Sequence, residues 1–126
     1  MTRPRLTTLW KDVRGTSAVE FALVAPALII LAVGSMYICM ALYLTGSLYF
    51  AVQEGARCAS VNTTTCSDAA SIKMYTQNHY YGPATAPTFN YTAAACGNSV
   101  TASVNFVANL GFKSVTIPIT AAACYP

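Results

Sequence analysis

From Phe21 the chain stays apolar for longer than any globular element requires. The segment FALVAPALIILAVGSMYICMALYLTGSLYFAV lies within 33 residues, between Glu20 and Glu54, that carry no charge. A helix crosses the hydrocarbon core of a bilayer with about 20 residues, and this uncharged stretch as helix would reach roughly 50 Å. Phe21 to about Leu44 is almost purely apolar and is expected to be a membrane span. From about Thr45 to Ala59, Gln53, Glu54 and Arg57 are mixed with Leu48, Phe50, Val52 and Ala56. That mixture predicts the same helix continuing beyond the bilayer as an amphipathic stem.

The pattern then changes period. Asn62–Cys66 (NTTTC) is a polar turn, and Ser67-Asp68 can cap a short helix over about Asp68–His79, with Ala69, Ile72, Tyr75 and Thr76 at helical spacing. Tyr81-Gly82-Pro83 stops it, and Pro87 keeps the following linker extended. Beyond that the chain alternates. Thr88–Thr92 puts Phe89 and Tyr91 on one face. Val100, Ala102, Val104 and Phe106 share a face of a second strand; Val115, Ile117, Ile119 and Ala121 do the same in a third. The connection around Ala108–Phe112, with Asn109 and Gly111, suits a short hairpin loop. Pro118 removes a backbone donor, which predicts a sheet edge or a bulge. The expected fold is α+β and membrane-anchored: a long N-terminal helix, one short helix, and a small antiparallel sheet of about three strands packed on the stem. It divides into a leader (1–15), the transmembrane helix and stem (16–59), and an extracytoplasmic α+β domain (60–126).

Charge supplies the orientation. The 126 residues are 55% hydrophobic and only 9% charged, against about 25% charged in a typical soluble domain. That balance argues against an ordinary cytosolic enzyme and against global disorder. Arg3, Arg5, Lys11 and Arg14 against Asp12 leave a net +3 before the span; Arg57, Lys73 and Lys113 against Glu54 and Asp68 leave +1 after it. The positive-inside rule puts residues 1–15 in the cytoplasm and residues 55–126 outside. The net charge therefore reflects topology. Nucleic-acid binding, which needs a basic stripe on one folded face, is not expected.

The cysteines agree with that topology. Cys39 lies in the span and is most simply a small apolar residue there. Cys58, Cys66, Cys96 and Cys124 fall on the oxidising side and imply two disulfides with three possible connectivities. Cys58 ends the stem and Cys66 opens the next helix, so a local bridge is easy. Cys96 and Cys124 then flank the final hairpin. Placing Phe106 opposite Val115, Val104 opposite Ile117 and Val100 opposite Ala121 keeps the apolar residues on one face. It leaves Cys96 and Cys124 one residue out of register, so a one-residue bulge near Pro118 or Gly97 is expected to bring them together. Cys58–Cys66 with Cys96–Cys124 is favoured over the two crossed pairings. With no C-x-x-C pair, a zinc ribbon or thioredoxin-like site is not expected.

The informative motif is Arg14-Gly15-Thr16-Ser17-Ala18-Val19-Glu20-Phe21. A basic leader ends in glycine, four small or apolar residues follow, then a glutamate, then an aromatic at the start of the span. This resembles the processing site of the type IV pilin superfamily. The resemblance implies cleavage between Gly15 and Thr16 by a membrane-embedded prepilin peptidase, with Glu20 fifth in the mature chain. Glycine leaves the backbone unobstructed for a protease, and a cut ahead of the apolar run leaves the membrane helix in place. An ionised Glu20 at the membrane edge is costly unless paired. The resemblance implies pairing with the new α-amine of a neighbouring subunit; a simpler reading is an interfacial carboxylate favoured by the helix dipole.

The phrase RGTSAVEFALVAPALIIL, with Pro26 six residues after the glutamate, is similar to the start of TadE-like proteins, the pseudopilins or minor pilins of the tight-adherence (Tad/Flp) pilus. Gln53-Glu54-Gly55-Ala56-Arg57 resembles the small-residue/arginine stretch after the span in that family, and the C-terminal hairpin resembles the family's usual ending. A sheet domain of this size points to an accessory component, since the major Flp pilin is usually little more than the helix. Thr16 departs from the phenylalanine that opens many mature pilins. Pro26 frees a backbone carbonyl and can kink the helix, or is simply tolerated in a membrane helix.

Three functional classes follow. The first is a structural or priming pilus component, with prepilin peptidase, other pilins and pseudopilins, the Tad secretion platform and membrane lipid as partners. It would be single-pass in the bacterial inner membrane, with a periplasmic or extracellular C-terminus. The second is an uncleaved, signal-anchored envelope protein that binds a partner through its exported domain. The third, a membrane-anchored enzyme, is weakest. The exported half holds only Glu54, Asp68 and the single His79 as candidates, with no hydrolytic, metal or phosphate motif. No cofactor or metal is expected. His79 reads as a surface or capping residue, and Tyr37, Tyr43 and Tyr49 as interfacial or helix-packing residues.

Overall fold

The computed structural model describes residues 16–83, 86–111 and 113–126. In chain order these form helix α1 (Thr16–Val61), helix α2 (Ala69–Asn78) and strands β1 (Thr88–Ala94), β2 (Gly97–Asn109) and β3 (Ser114–Tyr125). The chain divides into two compact units, one through Met36 and one from Tyr37 to Pro126. The described part of the first unit is wholly helical. Its side chains are exposed at nearly every position from Ser17 to Met36. The helix continues through Pro26.

The second unit holds the core. Leu44, Leu48, Ala51, Val52, Ala56 and Ala59 recur along α1 at three- and four-residue spacing, one face of a helix. They pack with Ile72 of α2, Phe89 of β1, Val100, Ala102 and Val104 of β2 and Ala121 of β3. The stem is therefore amphipathic as its pattern predicts, except that Phe50 is exposed. Cys58–Cys66 closes the turn after α1. There the Asn62 side chain accepts from Thr64 Oγ1 and the Thr65 amide. Asp68 caps α2 reciprocally: its Oδ1 accepts from the Ser71 amide at 2.7 Å, and its own amide donates to Ser71 Oγ at 3.1 Å. His79 ends the helix as the C-cap residue.

The sheet is antiparallel in the order β1-β2-β3, which makes β3 an edge strand and gives Pro118 the position its missing donor requires. The expected register of the β2–β3 hairpin is wrong by two residues. Phe106 faces Ile117, Val104 faces Ile119, and Val100 faces Ala123. A two-residue slip leaves every side chain on the same face, so apolar alternation could not distinguish the two pairings. The turn decides. The expected register would close through Leu110-Gly111 alone, and a two-residue hairpin turn calls for a positive φ at its first central residue. Leu110 does not adopt one; among the described residues only Gly97 and Gly111 do. The ladder instead ends at Asn109–Ser114, with the Leu110 amide donating to the Lys113 carbonyl across a wider loop.

The expected bulge is also absent from the pairing, which runs without interruption from Asn98–Tyr125 to Asn109–Ser114. Cys96 never enters that ladder. Ala94 pairs with Gly97, so Ala95 and Cys96 form the β1–β2 turn. From there Cys96 reaches Cys124, with their Cα atoms 6.2 Å apart. Gly97 is required at this turn: its φ is +120°, and a Cβ would overlap the Tyr125 carbonyl.

Hydrogen bonds tie the two ends of β2 to α1. Near the helix C-terminus, Tyr91 Oη donates to Asn98 Oδ1 at 2.6 Å, Asn98 Nδ2 donates to Ser60 Oγ, and Ser60 Oγ donates to the Tyr125 carbonyl. At the other end, Tyr37 Oη donates to the Asn109 carbonyl at 2.7 Å, and the Tyr37 ring meets Phe106 edge-on. From Tyr37 to Ser60 the helix rises about 35 Å; from Asn98 to Asn109 the strand covers about 37 Å. The lengths match, so β2 runs back along the stem and sets the β2–β3 turn beside Tyr37.

Candidate functional site

The sequence motif falls at the start of the described chain. Gly15 and the basic leader lie outside the described residues; Thr16 opens α1. Glu20 stands about one turn in, followed by Phe21, which is 69% exposed, and Leu23, which is 76% exposed. None of the most apolar stretch of the helix is buried within the chain. A helix with this surface needs lipid or other helices around it, since about 25 cal/mol is lost per Å² of apolar surface left in water. By length and composition α1 can cross a membrane. Glu20 and Pro26 sit within this bare segment, and Cys39 is exposed with a free thiol.

The four remaining cysteines are gathered in the other unit as Cys58–Cys66 and Cys96–Cys124. That unit also gives physical meaning to the Gln53–Arg57 stretch. A Cβ on Gly55 would overlap Thr76 Oγ1. Thr76 is fully buried and donates from that oxygen to the Ile72 carbonyl. Gly55 therefore lets α2 approach α1 closely, while Gln53 and Arg57 stay on the exposed face. The sequence signal for this was a glycine at the end of an apolar face, and it did not indicate which element would cover it.

Two further contacts were not legible. The Tyr81 amide donates to Ser47 Oγ at 2.9 Å, and Tyr43 Oη donates to the Tyr81 carbonyl. Together they fasten the segment after α2 to the stem. His79 Nδ1 lies 2.8 Å from the Tyr75 carbonyl, and its ring stacks on Tyr75. That is the surroundings of a capping residue. Among the described residues no three of His, Cys, Asp and Glu come together as a metal site would require.

A bare apolar N-terminal helix joined to a disulfide-bonded α+β unit defines a helix-anchored protein. Residues 15–57 match the family model described as TadE-like protein. Over that segment the chain is similar to the TadE-like family. The match opens at Gly15 and closes at Arg57, so it takes in the bare segment and the Gly55 crossing and leaves α2 and the sheet outside it. No curated protein and no solved structure matches the chain.

Proposed function

We propose that the protein is a pseudopilin or minor pilin of a Tad/Flp adhesion pilus, cut between Gly15 and Thr16 by a prepilin peptidase and used as a structural or priming component in assembly. The observation that carries this reading is the family match opening at Gly15 and running along a helix whose most apolar stretch has no covering partner within the chain. In this reading α1 holds the protein in the inner membrane, with the basic leader in the cytoplasm and the disulfide-bonded unit on the oxidising side. Other pilins and pseudopilins take the place of lipid around the helix during assembly. Glu20 then meets the Thr16 amine of a neighbour, the pairing that a carboxylate needs in an apolar setting. The role is structural and not enzymatic.

N-terminal sequencing from cells with an active prepilin peptidase tests it. The mature chain begins TSAVEF, and Gly15→Leu blocks processing by obstructing the bond. A chain that still begins at Met1 in such cells would replace this reading with that of an uncleaved signal anchor.

A further inference from the structure

The exposed surface of the sheet is not uniform. Along the outer face of β2 and β3 it is polar at Thr101, Ser103, Asn105 and Thr120. Toward the β2–β3 turn it becomes apolar. Val107 is 47% exposed, Leu110 43%, Val115 38% and Ile117 45%. These residues cover both faces of the hairpin end and its turn, so no single packing face within the chain could bury them. Nothing stands within 4 Å of the position a Cβ would take on Gly111. Lys113, in the same turn, is the only Asp, Glu, Lys or Arg after Lys73.

The position of this tip identifies what covers it. Asn109 accepts from Tyr37, so the tip stands level with Tyr37 of α1. The span expected from Phe21 to about Leu44 stops short of Leu44, which is buried within the chain; the lipid-facing stretch ends near Met40, at about 20 residues. Tyr37 therefore lies about 5 Å inside the outer limit of the span. Tyrosine is enriched at that depth, and interfacial segments bury their apolar side by roughly 5–10 Å. We infer that the β2–β3 hairpin tip dips into the outer leaflet of the membrane that α1 crosses, with Leu110, Val107, Val115 and Ile117 at the headgroup–acyl boundary and Lys113 among anionic headgroups. The occupant is phospholipid, because the patch stands level with Tyr37, inside the expected span, and Lys113 carries the charge that anionic headgroups attract. The inference rests on the membrane-anchor reading of α1. The sheet then becomes a second contact with the bilayer.

The experiment uses the full chain carrying Cys39→Ser, reconstituted into vesicles of phosphatidylethanolamine and phosphatidylglycerol. An environment-sensitive fluorophore is attached in turn to Leu28→Cys, Leu110→Cys and Ser103→Cys, with native disulfides verified by non-reducing peptide mapping. Nitroxide-bearing lipids are expected to quench the probes at positions 28 and 110 by roughly twofold or more, and to leave position 103 unchanged. At position 110 a nitroxide near the headgroup quenches more than one at the bilayer centre. Quenching at 28 without quenching at 110 overturns the hairpin inference and leaves the anchor intact. No quenching at 28 overturns both. A probe at 110 shielded from lipid nitroxide and from aqueous iodide, and released when the protein is diluted in the bilayer, assigns the patch to a second copy and overturns the lipid contact.

Discussion

One methyl group added at Gly55 would fall on the Thr76 hydroxyl, which is buried and already engaged with the Ile72 carbonyl. Backbone of α1 and side chain of α2 both resist displacement there, so Gly55→Ala is expected to cost about 1–3 kcal/mol, the usual range for overpacking. Thr76→Ala in the same background should recover part of that, and a double-mutant cycle should give a coupling of about 0.5–3 kcal/mol. Denaturant melts of the four proteins in detergent measure it; strict additivity would mean that α2 does not bear on Gly55. Asp68 acts by charge. The Ser71 backbone amide chiefly, then the Ser71 hydroxyl, hold its carboxyl below the usual range. A lowered folded value means that the cap adds stability above the ordinary Asp value of about 3.9 and loses it as pH falls through the folded value. Asp68→Asn keeps an acceptor but has no such titration. The melting temperature of the native chain should exceed that of Asp68→Asn at about pH 7, and the gap should close toward about pH 2. A gap unchanged across that range would remove charge from the explanation.

At the scale of elements, the cysteine bridges do different work. Cys58–Cys66 spans a separation of 8 residues and closes one turn; Cys96–Cys124 spans 28 and joins the β1–β2 turn to the end of an edge strand. Without the second bridge, the last residues of β3 would be held by pairing to β2 and by the bond from Ser60 to the Tyr125 carbonyl. Cys96→Ala with Cys124→Ala is expected to cost about 2–4 kcal/mol. The loss should be local. Amide exchange should accelerate over the second half of β3 while α2 stays protected. Equal acceleration in α2 would show that the bridge supports the whole unit and not its edge. The same elements mark the limit of pattern reading. Alternation placed Val104, Phe106, Ile117 and Ile119 on one face; Val104, Phe106 and Ile119 of that face pack in or against the core, and Ile117 lies beyond it and is exposed. The same alternation cannot detect a slip of two residues, and the register followed from which residue in the turn could take a positive φ.

For the whole molecule, the bare segment of α1 and the sheet-covered stem impose separate demands. The stem's apolar face is satisfied within the chain, at Leu44, Leu48 and Val52. The segment from Phe21 to Met36 has no such cover within the chain. Between Thr16 and Glu54 the only charged side chain is that of Glu20, so in the proposed role its loss should act on assembly and not on folding. Glu20→Ala should be processed and inserted normally. When co-expressed with the native chain, it should be under-represented in the assembled pilus fraction by on the order of tenfold, the effect of about 1.4 kcal/mol. Equal recovery would exclude a pairing role. The type of each element was set locally: an uncharged apolar run, an acidic cap before a helical period, and period-two alternation all act through near neighbours, and sequence alone determines them. The motif from Arg14 to Phe21 is local in the same sense. The partner of Gly55, the β2–β3 register, the course by which Cys96 reaches Cys124 and the level of the hairpin tip beside Tyr37 were decided only by tertiary structure. Each depends on residues far apart in the chain arriving at one place, and neither side chain of such a pair carries a mark of the other.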